Sequence, residues 1–212
     1  MPEMKTLNGY EIVDAYAREA IAKLSYKAIS ITNFTVNDSV REIGSGAQSV
    51  TLSWTLSKKP MILTLDGVTI PASSTSKVLD GLQIATEKTW TLVATDESGA
   101  KSTKTASLKF VNGVYYGCSA KTTVDNDLIR SLRKVLKDSK GTSFSVTAGA
   151  SQYIYYCVPK RLGTCSFTVG GFSGGFTLVE TLPYTNIFGY TEDYHVYRSD
   201  NTGLGATSVV AS

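Results

Sequence analysis

Apolar residues recur at a helical spacing near the start of the chain. They form two neighbouring rows with four-residue intervals: Ile12, Tyr16, Ala20 and Leu24, and Val13, Ala17 and Ile21. This spacing predicts an amphipathic α-helix. Asn8 with Glu11 three positions later is typical of a capping box, so we expect the helix to begin near Asn8. A helix this short is marginal alone in water, so its apolar stripe needs a partner: the rest of this chain, a sister subunit or a neighbouring protein.

From residue 29 the apolar period changes to two. Val50, Leu52, Trp54 and Leu56 alternate with Ser and Thr, which predicts a half-buried β-strand. Asp66-Gly67 predicts a tight hairpin turn. Further short strands, punctuated by Gly, Asp, Ser and Pro, are predicted at 31–36, 61–65, 68–70, 90–94 and 106–110. Residues 29–112 are therefore expected to form an immunoglobulin-like or fibronectin-like β-sandwich, without the cysteine pair of antibody domains.

A second β domain is predicted after Asn112-Gly113. A helix near 125–138 is expected to start at Thr123 or Asp125, with its apolar positions facing a core and Arg and Lys facing outward. The remaining strands are predicted at 144–146, 153–158, 165–169, 176–179, 194–197 and 207–210. The expected fold class is therefore mainly β, in three parts: a short helical segment (1–28), an Ig-like sandwich (29–112) and a β domain with one packed helix (113–212).

The bulk composition excludes several classes of protein. The net charge is only +3, and the basic residues are scattered, which does not indicate nucleic-acid binding. Cys118, Cys157 and Cys165 show no CxxC spacing and are too few for a secreted disulfide framework. No apolar run approaches the ~20 residues that span a bilayer, and residues 1–8 lack the apolar core of a signal peptide. We therefore expect synthesis in the cytoplasm and no membrane insertion.

The one motif that suggests an enzyme is Gly-x-Ser-x-Gly at 171–175, around Ser173. A nucleophile elbow requires a helix after the serine, whereas residues 176–179 predict a strand and the whole stretch a glycine-rich hairpin. His195 is the single histidine, and Glu192 and Asp193 beside it would project to opposite faces of a strand. No zinc or calcium spacing is present. We expect no enzymatic activity, no metal and no cofactor.

Tyrosines are concentrated in the last hundred residues, where nine of the 12 occur. A tyrosine offers an apolar ring and a hydroxyl, a combination that is useful in cores, in protein interfaces and in sugar-binding surfaces. Three interpretations stay open here: packing of the core and the sheet, contact between subunits, and contact with a glycan. For the last two, the candidate recognition residues are Tyr155, Tyr190, Tyr194 and Tyr197.

Three stretches together resemble proteins of tailed-phage particles. KTLNGYEIVDA (5–15), with Ala17-Arg18-Glu19 after it, resembles the N-terminal segment of many tail-fibre, baseplate and head-fibre proteins. VTLSW (50–54) through FVNGVYYG (110–117) resembles Ig-like modules of phage structural proteins. QYIYY (152–156), PKRLGT (159–164), VGGF (169–172) and YTEDYHVYRS (190–199) are similar to C-terminal domains of phage proteins from gut bacteria, including crAss-like phages.

The resemblance implies a structural component of a virion, in a tail, a baseplate or a capsid-surface appendage. Its partners would be other virion proteins and further copies of itself, and it would be assembled in the cytoplasm of the bacterial host. The N-terminal segment would be the attachment element, with candidate residues Leu7, Asn8, Tyr10, Ile12, Val13, Tyr16, Ala20 and Leu24. The alternatives are a module that binds a host receptor or glycan at the particle surface and, third, a cell-wall-degrading enzyme.

Overall fold

The computed structural model describes residues 6–8, 10–11 and 14–212, and the chain is mainly β, as predicted. Its contacts divide into two compact units. The first comprises the described residues up to Ser39 together with Gln48–Gln83 and Glu87–Leu108. The second comprises Val40–Ala47, Ile84–Thr86 and Lys109–Ser212. The predicted three-part division of the chain stays a prediction, and each unit is described by itself.

The N-terminal segment contains a small hairpin and one helix. Strands β1 (Thr6–Leu7) and β2 (Tyr10–Glu11) pair antiparallel, and helix α1 spans Ala15–Ser25. The predicted cap at Asn8 is wrong: Asp14 caps α1, its carboxylate accepting from the backbone N–H of Tyr16 at 2.7 Å. Asn8 instead lies between the two strands at φ 51°, a left-handed conformation that asparagine tolerates, in the Asn-Gly pair that favours hairpin turns.

The next eight strands include those of the predicted sandwich. They are β3 (Ile31–Val36), β4 (Val40–Glu42), β5 (Val50–Leu56), β6 (Ile62–Leu65), β7 (Val68–Ile70), β8 (Ser76–Leu79), β9 (Lys88–Thr95) and β10 (Lys101–Val111). In the first unit one sheet has the order β3-β5-β8 and the other β10-β9-β6-β7. This three-and-four arrangement is that of an Ig-like sandwich. In the second unit, the last three residues of β10 pair in parallel with β4.

Alternating side chains form the core of the first unit. Leu52 and Trp54 on β5 are buried, as are Leu63 on β6 and Trp90 and Leu92 on β9. The Trp54 indole N–H donates to the Ser74 carbonyl at 2.8 Å, which satisfies the one polar atom of that side chain. The sequence did not predict β8, because its Ser-Lys-Val-Leu stretch lacks the two-residue alternation and is mostly exposed.

Asp96, in the turn between β9 and β10, is a fully buried acceptor. Its carboxylate accepts from the Tyr26 hydroxyl at 2.6 Å and from the Ile29 N–H at 3.1 Å, and it pairs with the Lys58 ammonium at 3.0 Å. Its other oxygen accepts from the N–H groups of two residues in its own turn. Burial alone would raise the pKa of Asp96, but these donors outweigh burial and hold the pKa well below its ordinary value. Asp96 therefore fastens the residues after α1 to the sandwich.

Besides the β4–β10 pairing, the second unit contains two sheets and a short helix. Its further elements are β11 (Gly113–Ser119), α2 (Asn126–Ser131), β12 (Arg133–Leu136), β13 (Thr142–Ala148), β14 (Tyr153–Pro159), a 3₁₀ turn (Lys160–Leu162), β15 (Phe167–Val169), β16 (Phe172–Ser173), β17 (Phe176–Thr185), β18 (Thr191–Ser199) and β19 (Gly205–Ala211). The five-stranded sheet has the order β12-β11-β14-β18-β17, and the four-stranded sheet β13-β19-β15-β16.

Helix α2 is shorter than the helix predicted near 125–138. Asp125, one of the two predicted caps, is the cap and accepts from the Leu128 N–H at 2.7 Å, but the helix ends at Ser131. Residues 133–136 form β12, which pairs antiparallel with β11. The helical spacing was misleading here because the backbone hydrogen bonds available at the edge of β11 outweigh the local pattern, and Val135 is well suited to a strand.

The central part of the five-stranded sheet is buried on both faces, whereas its edge strands β12 and β17 are largely exposed or half-buried. On one face, Tyr116, Tyr156 and Tyr197 pack against Phe144 and Phe167 of the four-stranded sheet. On the other face, Tyr115, Tyr155, Tyr184 and Tyr194 pack with Leu128 and Ile129 of α2. The sheet is therefore sandwiched between a second sheet and a helix, and tyrosine supplies much of the packing on each side.

Candidate functional site

Helix α1 carries an exposed apolar row. None of its residues is buried, and Tyr16 and Leu24 are 86% and 87% exposed, with Ala20 exposed between them. The neighbouring row, Ala17 and Ile21, is half-buried. Exposed apolar side chains one helical turn apart form a continuous stripe, because residues four apart lie on one face. Within the described part of the chain this stripe is left uncovered.

The other proposed attachment residues lie before the helix. Tyr10, on β2, is 81% exposed, and Asn8 is exposed in the preceding turn. Leu7 belongs to β1. Ile12 and Val13 lie outside the described residues. The structure thus places the exposed attachment candidates on the hairpin and on one side of α1, with no buried side chain among those it describes.

A strand follows the Gly-x-Ser-x-Gly motif, as predicted, but it does not form the predicted hairpin with the strand before the motif. Strand β15 instead pairs with β16, and β17 belongs to the other sheet. Ser173 is the last residue of β16, and β17 rather than a helix follows it. His195 lies on β18 of the other sheet, where its Nδ1 is 2.8 Å from the Thr181 hydroxyl. Burial and the nearby Lys160 lower the pKa of His195 below its ordinary value. Ser173 and His195 therefore belong to different sheets, and the motif lacks the strand–turn–helix geometry of a nucleophile elbow.

Glu192, the acidic residue considered as a partner of Ser173 and His195, takes part in contacts that stabilise the fold. Its carboxylate accepts from the Asn112 side chain and pairs with the Arg161 guanidinium at 3.0 Å. Among the described residues, no group of three or more His, Cys, Asp or Glu side chains is arranged to hold a metal ion. Burial raises the pKa of the thiols of Cys118, Cys157 and Cys165, which makes them poorer nucleophiles.

Three of the four tyrosines predicted to form a recognition surface are buried, which corrects that prediction. Tyr155, Tyr194 and Tyr197 are at most 4% exposed. The Tyr194 hydroxyl donates to the Gly113 carbonyl at 2.7 Å, and the Tyr197 hydroxyl accepts from the Cys165 N–H at 2.9 Å. The alternation of the strands puts these rings in the two cores of the unit, so their hydroxyls serve the fold. Tyr190, 37% exposed, is the one member of this set with a solvent-accessible ring.

A buried polar relay stabilises the core beside α2. The Tyr184 hydroxyl donates to the Tyr115 hydroxyl at 3.0 Å, and Tyr115 donates to the carboxylate of Glu42 at 3.2 Å. Lys134 of β12 completes the relay by pairing with the same carboxylate. Burial and the neighbouring Tyr184 raise the pKa of Tyr115 far above its ordinary value, so the phenol stays protonated. Sequence reasoning missed the relay, because Glu42 and Lys134 are 92 positions apart.

A hydrogen-bonded loop at the β17–β18 turn displays apolar side chains. The buried Asn186 holds it: the side-chain amide donates to the Ile43 carbonyl at 2.7 Å and accepts from the N–H groups of Phe188 and Tyr190, both at 3.0 Å. Gly44, at φ +90°, lies under the loop, and a β-carbon there would come within 3.2 Å of Phe188 and Tyr190. Ile187 is 68% and Phe188 47% exposed. We name residues 186–190 the apolar loop.

Comparison with known proteins yields no family. No protein-family model and no curated protein matches the sequence. Similar solved structures are a chitinase, ChiA74, from Bacillus thuringiensis (14% identity, TM-score 0.28), an α-L-rhamnosidase from Dictyoglumus thermophilum (12%, 0.28) and the N-terminal eight Ig domains of Down syndrome cell adhesion molecule (9%, 0.29). They cover 86%, 88% and 82% of this chain, which spans 26%, 25% and 20% of theirs.

These similarities are too low to carry an argument about function. The described residues contain no helix with the length and apolar character needed to cross a bilayer. Among the described residues, α1 and the apolar loop each expose two or more large apolar side chains close together in the sequence. Surfaces of this kind are suited to contact with other macromolecules.

Proposed function

We propose that the chain is a structural, non-catalytic component of a phage virion, which joins the particle by protein–protein contacts through its N-terminal segment. The observation that carries the proposal is the exposed row Tyr16, Ala20 and Leu24 on a helix that buries none of its residues. An 11-residue helix with so little tertiary packing is marginal in water, so a partner that covers the row would stabilise it.

The resemblance of residues 5–19 to the attachment segments of phage fibre and baseplate proteins supports the same role. The Asp96 contacts support it too, because they hold Tyr26 and Ile29, just after α1, to the sandwich of the first unit. Force applied to a bound helix would thus be transmitted to a folded domain after only a few residues. In this proposal the Ig-like sandwich is a spacer, and the second unit offers further contact surfaces.

Deletion of residues 1–25 is expected to leave a folded protein that no longer enters particles. The deletion ends before Tyr26, so it keeps the hydrogen bond from Tyr26 to Asp96. The measurement is the amount of tagged chain in purified particles, with circular dichroism as the test of folding. Leu24→Ser, which alters the exposed row, should weaken incorporation, whereas the matched control Leu178→Ser, at an exposed position on β17, should not. Normal incorporation of the truncated chain would exclude the attachment role.

A second candidate function is binding of a host receptor or glycan at the particle surface. The observation that favours it is the apolar loop, in which Tyr190 and Phe188 offer partly exposed rings on a backbone that Asn186 fixes. Aromatic rings held in this way pack against sugar rings at little entropic cost.

If the loop binds glycans, the full chain should bind members of an array of host-surface glycans, and Tyr190→Ala should weaken binding at least about tenfold, the effect of losing roughly 1.4 kcal/mol. Tyr10→Ala, at another exposed tyrosine far away in the sequence, is the matched control and should bind as the wild type does. The absence of binding to the whole array, or equal binding by Tyr190→Ala, would count against this second function.

A further inference from the structure

The two sheets that lie wholly within the second unit end in four edge strands, and three of these have features that discourage pairing with another chain. Strand β12 carries Arg133 and Lys134. Strand β17 contains Pro183 and a bulge between Leu178 and Glu180. Strand β16 is only two residues long. Charge, proline, bulges and shortness are the means by which natural proteins protect exposed edges.

Strand β13 has none of these protections. Its seven residues, Thr-Ser-Phe-Ser-Val-Thr-Ala, contain no charge, no proline and no glycine. It pairs with β19 without a break, from Thr142 opposite Ala211 to Ala148 opposite Gly205. In an antiparallel ladder every second residue directs its N–H and C=O away from the neighbour. For 142–148, no backbone hydrogen bond to another described element takes up these groups.

The side chains near this edge do not cover it. Lys137 donates to the Gly141 carbonyl and lies 3.2 Å from the Thr142 hydroxyl, so it contacts only the first residue of β13. The Ser145 hydroxyl lies 3.1 Å from that of Ser208 on β19, directed away from the free edge. An uncovered row of backbone donors and acceptors fits one kind of partner, an extended strand.

We propose that β13 pairs with β13 of a second copy of this chain, antiparallel about a two-fold axis at Ser145. The proposal deepens the proposed function, because it names a second copy of this chain as one of the partners. It rests on that function only in so far as both describe assembly through protein–protein contacts. In this register Ser145 faces the partner's Ser145, and Phe144 faces the partner's Val146. Directly opposed residues in an antiparallel pair share a face of the sheet, so apolar side chains meet on the buried face and small polar ones on the exposed face.

The charges beside the strand favour this orientation. Lys137 and Lys140 precede β13, with Asp138 between them paired to Arg161 at 3.1 Å, and the residues that follow it, Gly149 to Gln152, are uncharged. Antiparallel pairing puts the lysines of the two copies at opposite ends of the new ladder, facing the uncharged segment of the partner. Parallel pairing would place them side by side, where like charges repel. The result is an isologous contact that joins two four-stranded sheets into one of eight strands.

Analytical sedimentation of the purified full chain at about 1–100 μM tests the proposal, because a small interface has a dissociation constant in this concentration range. We expect a concentration-dependent mass that approaches twice the 22.8 kDa of one chain. Ser145→Lys and Ser145→Asp should each remain single chains, because the substitution brings two like charges together at the axis, and an equimolar mixture of the two variants should pair again. The matched control Ser173→Lys, on the opposite edge of the same sheet, should behave as the wild type does.

Cross-linking tests the register in the same preparation. Opposed residues in an antiparallel ladder have Cα atoms about 4.5–5.5 Å apart, within reach of a disulfide. Mild oxidation should therefore link Ser145→Cys to itself and Ser143→Cys to Thr147→Cys, above the background of the wild type with its three cysteines. A wild type that is a single chain at every concentration, or an oligomer that Ser145→Lys leaves unchanged, would overturn the proposal. Neither outcome affects the test of particle entry by the truncated chain.

Discussion

Replacement of Asp96 by Asn is expected to lower the thermal unfolding midpoint of the chain by on the order of 10 °C, measured by calorimetry at neutral pH. Both carboxylate oxygens accept hydrogen bonds, from Tyr26 and Ile29 on one side and from the turn N–H groups on the other. An amide offers only one acceptor oxygen, so its NH₂ group would face donors. The Lys58 ammonium would also lose its buried counterion.

The effect of Asp96→Asn on the unfolding midpoint should become smaller at low pH. The folded state lowers the pKa of Asp96, so its contribution is fully present above the ordinary aspartate pKa of about 3.9 and disappears as the pH falls further towards the folded value. The difference between wild type and Asp96→Asn should therefore be constant near neutrality and shrink below about pH 4. Glu97→Gln, which removes the partly exposed charge that also pairs with Lys58, is the control and should change the midpoint little. Equal midpoints for Asp96→Asn and wild type would contradict the account.

Tyr155→Ala is expected to destabilise the second unit by about 3–5 kcal/mol, the cost of removing a large buried aromatic side chain. Tyr155 is fully buried against α2, and its hydroxyl donates to the Lys121 carbonyl at 2.5 Å. The substitution leaves a cavity and an unpaired acceptor. Chemical denaturation followed by tyrosine fluorescence and circular dichroism measures the loss.

Tyr190→Ala is the matched comparison, because both substitutions truncate a tyrosine of the same unit. Tyr190 lies on the apolar loop and is partly exposed, so its removal should cost less than about 1 kcal/mol. If the two variants lost equal stability, the assignment of Tyr155 to the core and of Tyr190 to the surface would be incorrect.

Much of the fold could be predicted from the two-residue alternation of apolar and polar positions. Strands such as β5 and β9 follow it closely, because one face of each is buried and the other is not. The alternation does not predict strands that form because they pair with a neighbouring strand rather than because one of their faces is buried. Strand β8 is mostly exposed, and 133–136 follows a helical spacing but pairs with β11. Asn8 was misassigned because asparagine serves helix caps and hairpin turns equally well.

The candidate sites were only partly predictable. The apolar row of α1 follows from its spacing, but the sequence does not say that the chain leaves the row exposed. The tyrosines of the second unit could not be sorted into core and surface, because β14 and β18 are buried on both faces and tyrosine suits either environment. The apolar loop depends on Asn186 meeting Ile43, 143 positions away, and the free edge of β13 depends on the sheet order. Contacts at such separations leave no local pattern.

Electron cryomicroscopy of purified particles tests the central claim most directly. The proposal predicts density for both units at repeated, symmetry-related positions on the particle. It also predicts that Tyr16, Ala20 and Leu24 of α1 are covered by a neighbouring protein. If the chain is absent from purified particles, or is present with this row facing solvent, the proposed role as a virion component attached through its N-terminal segment is contradicted.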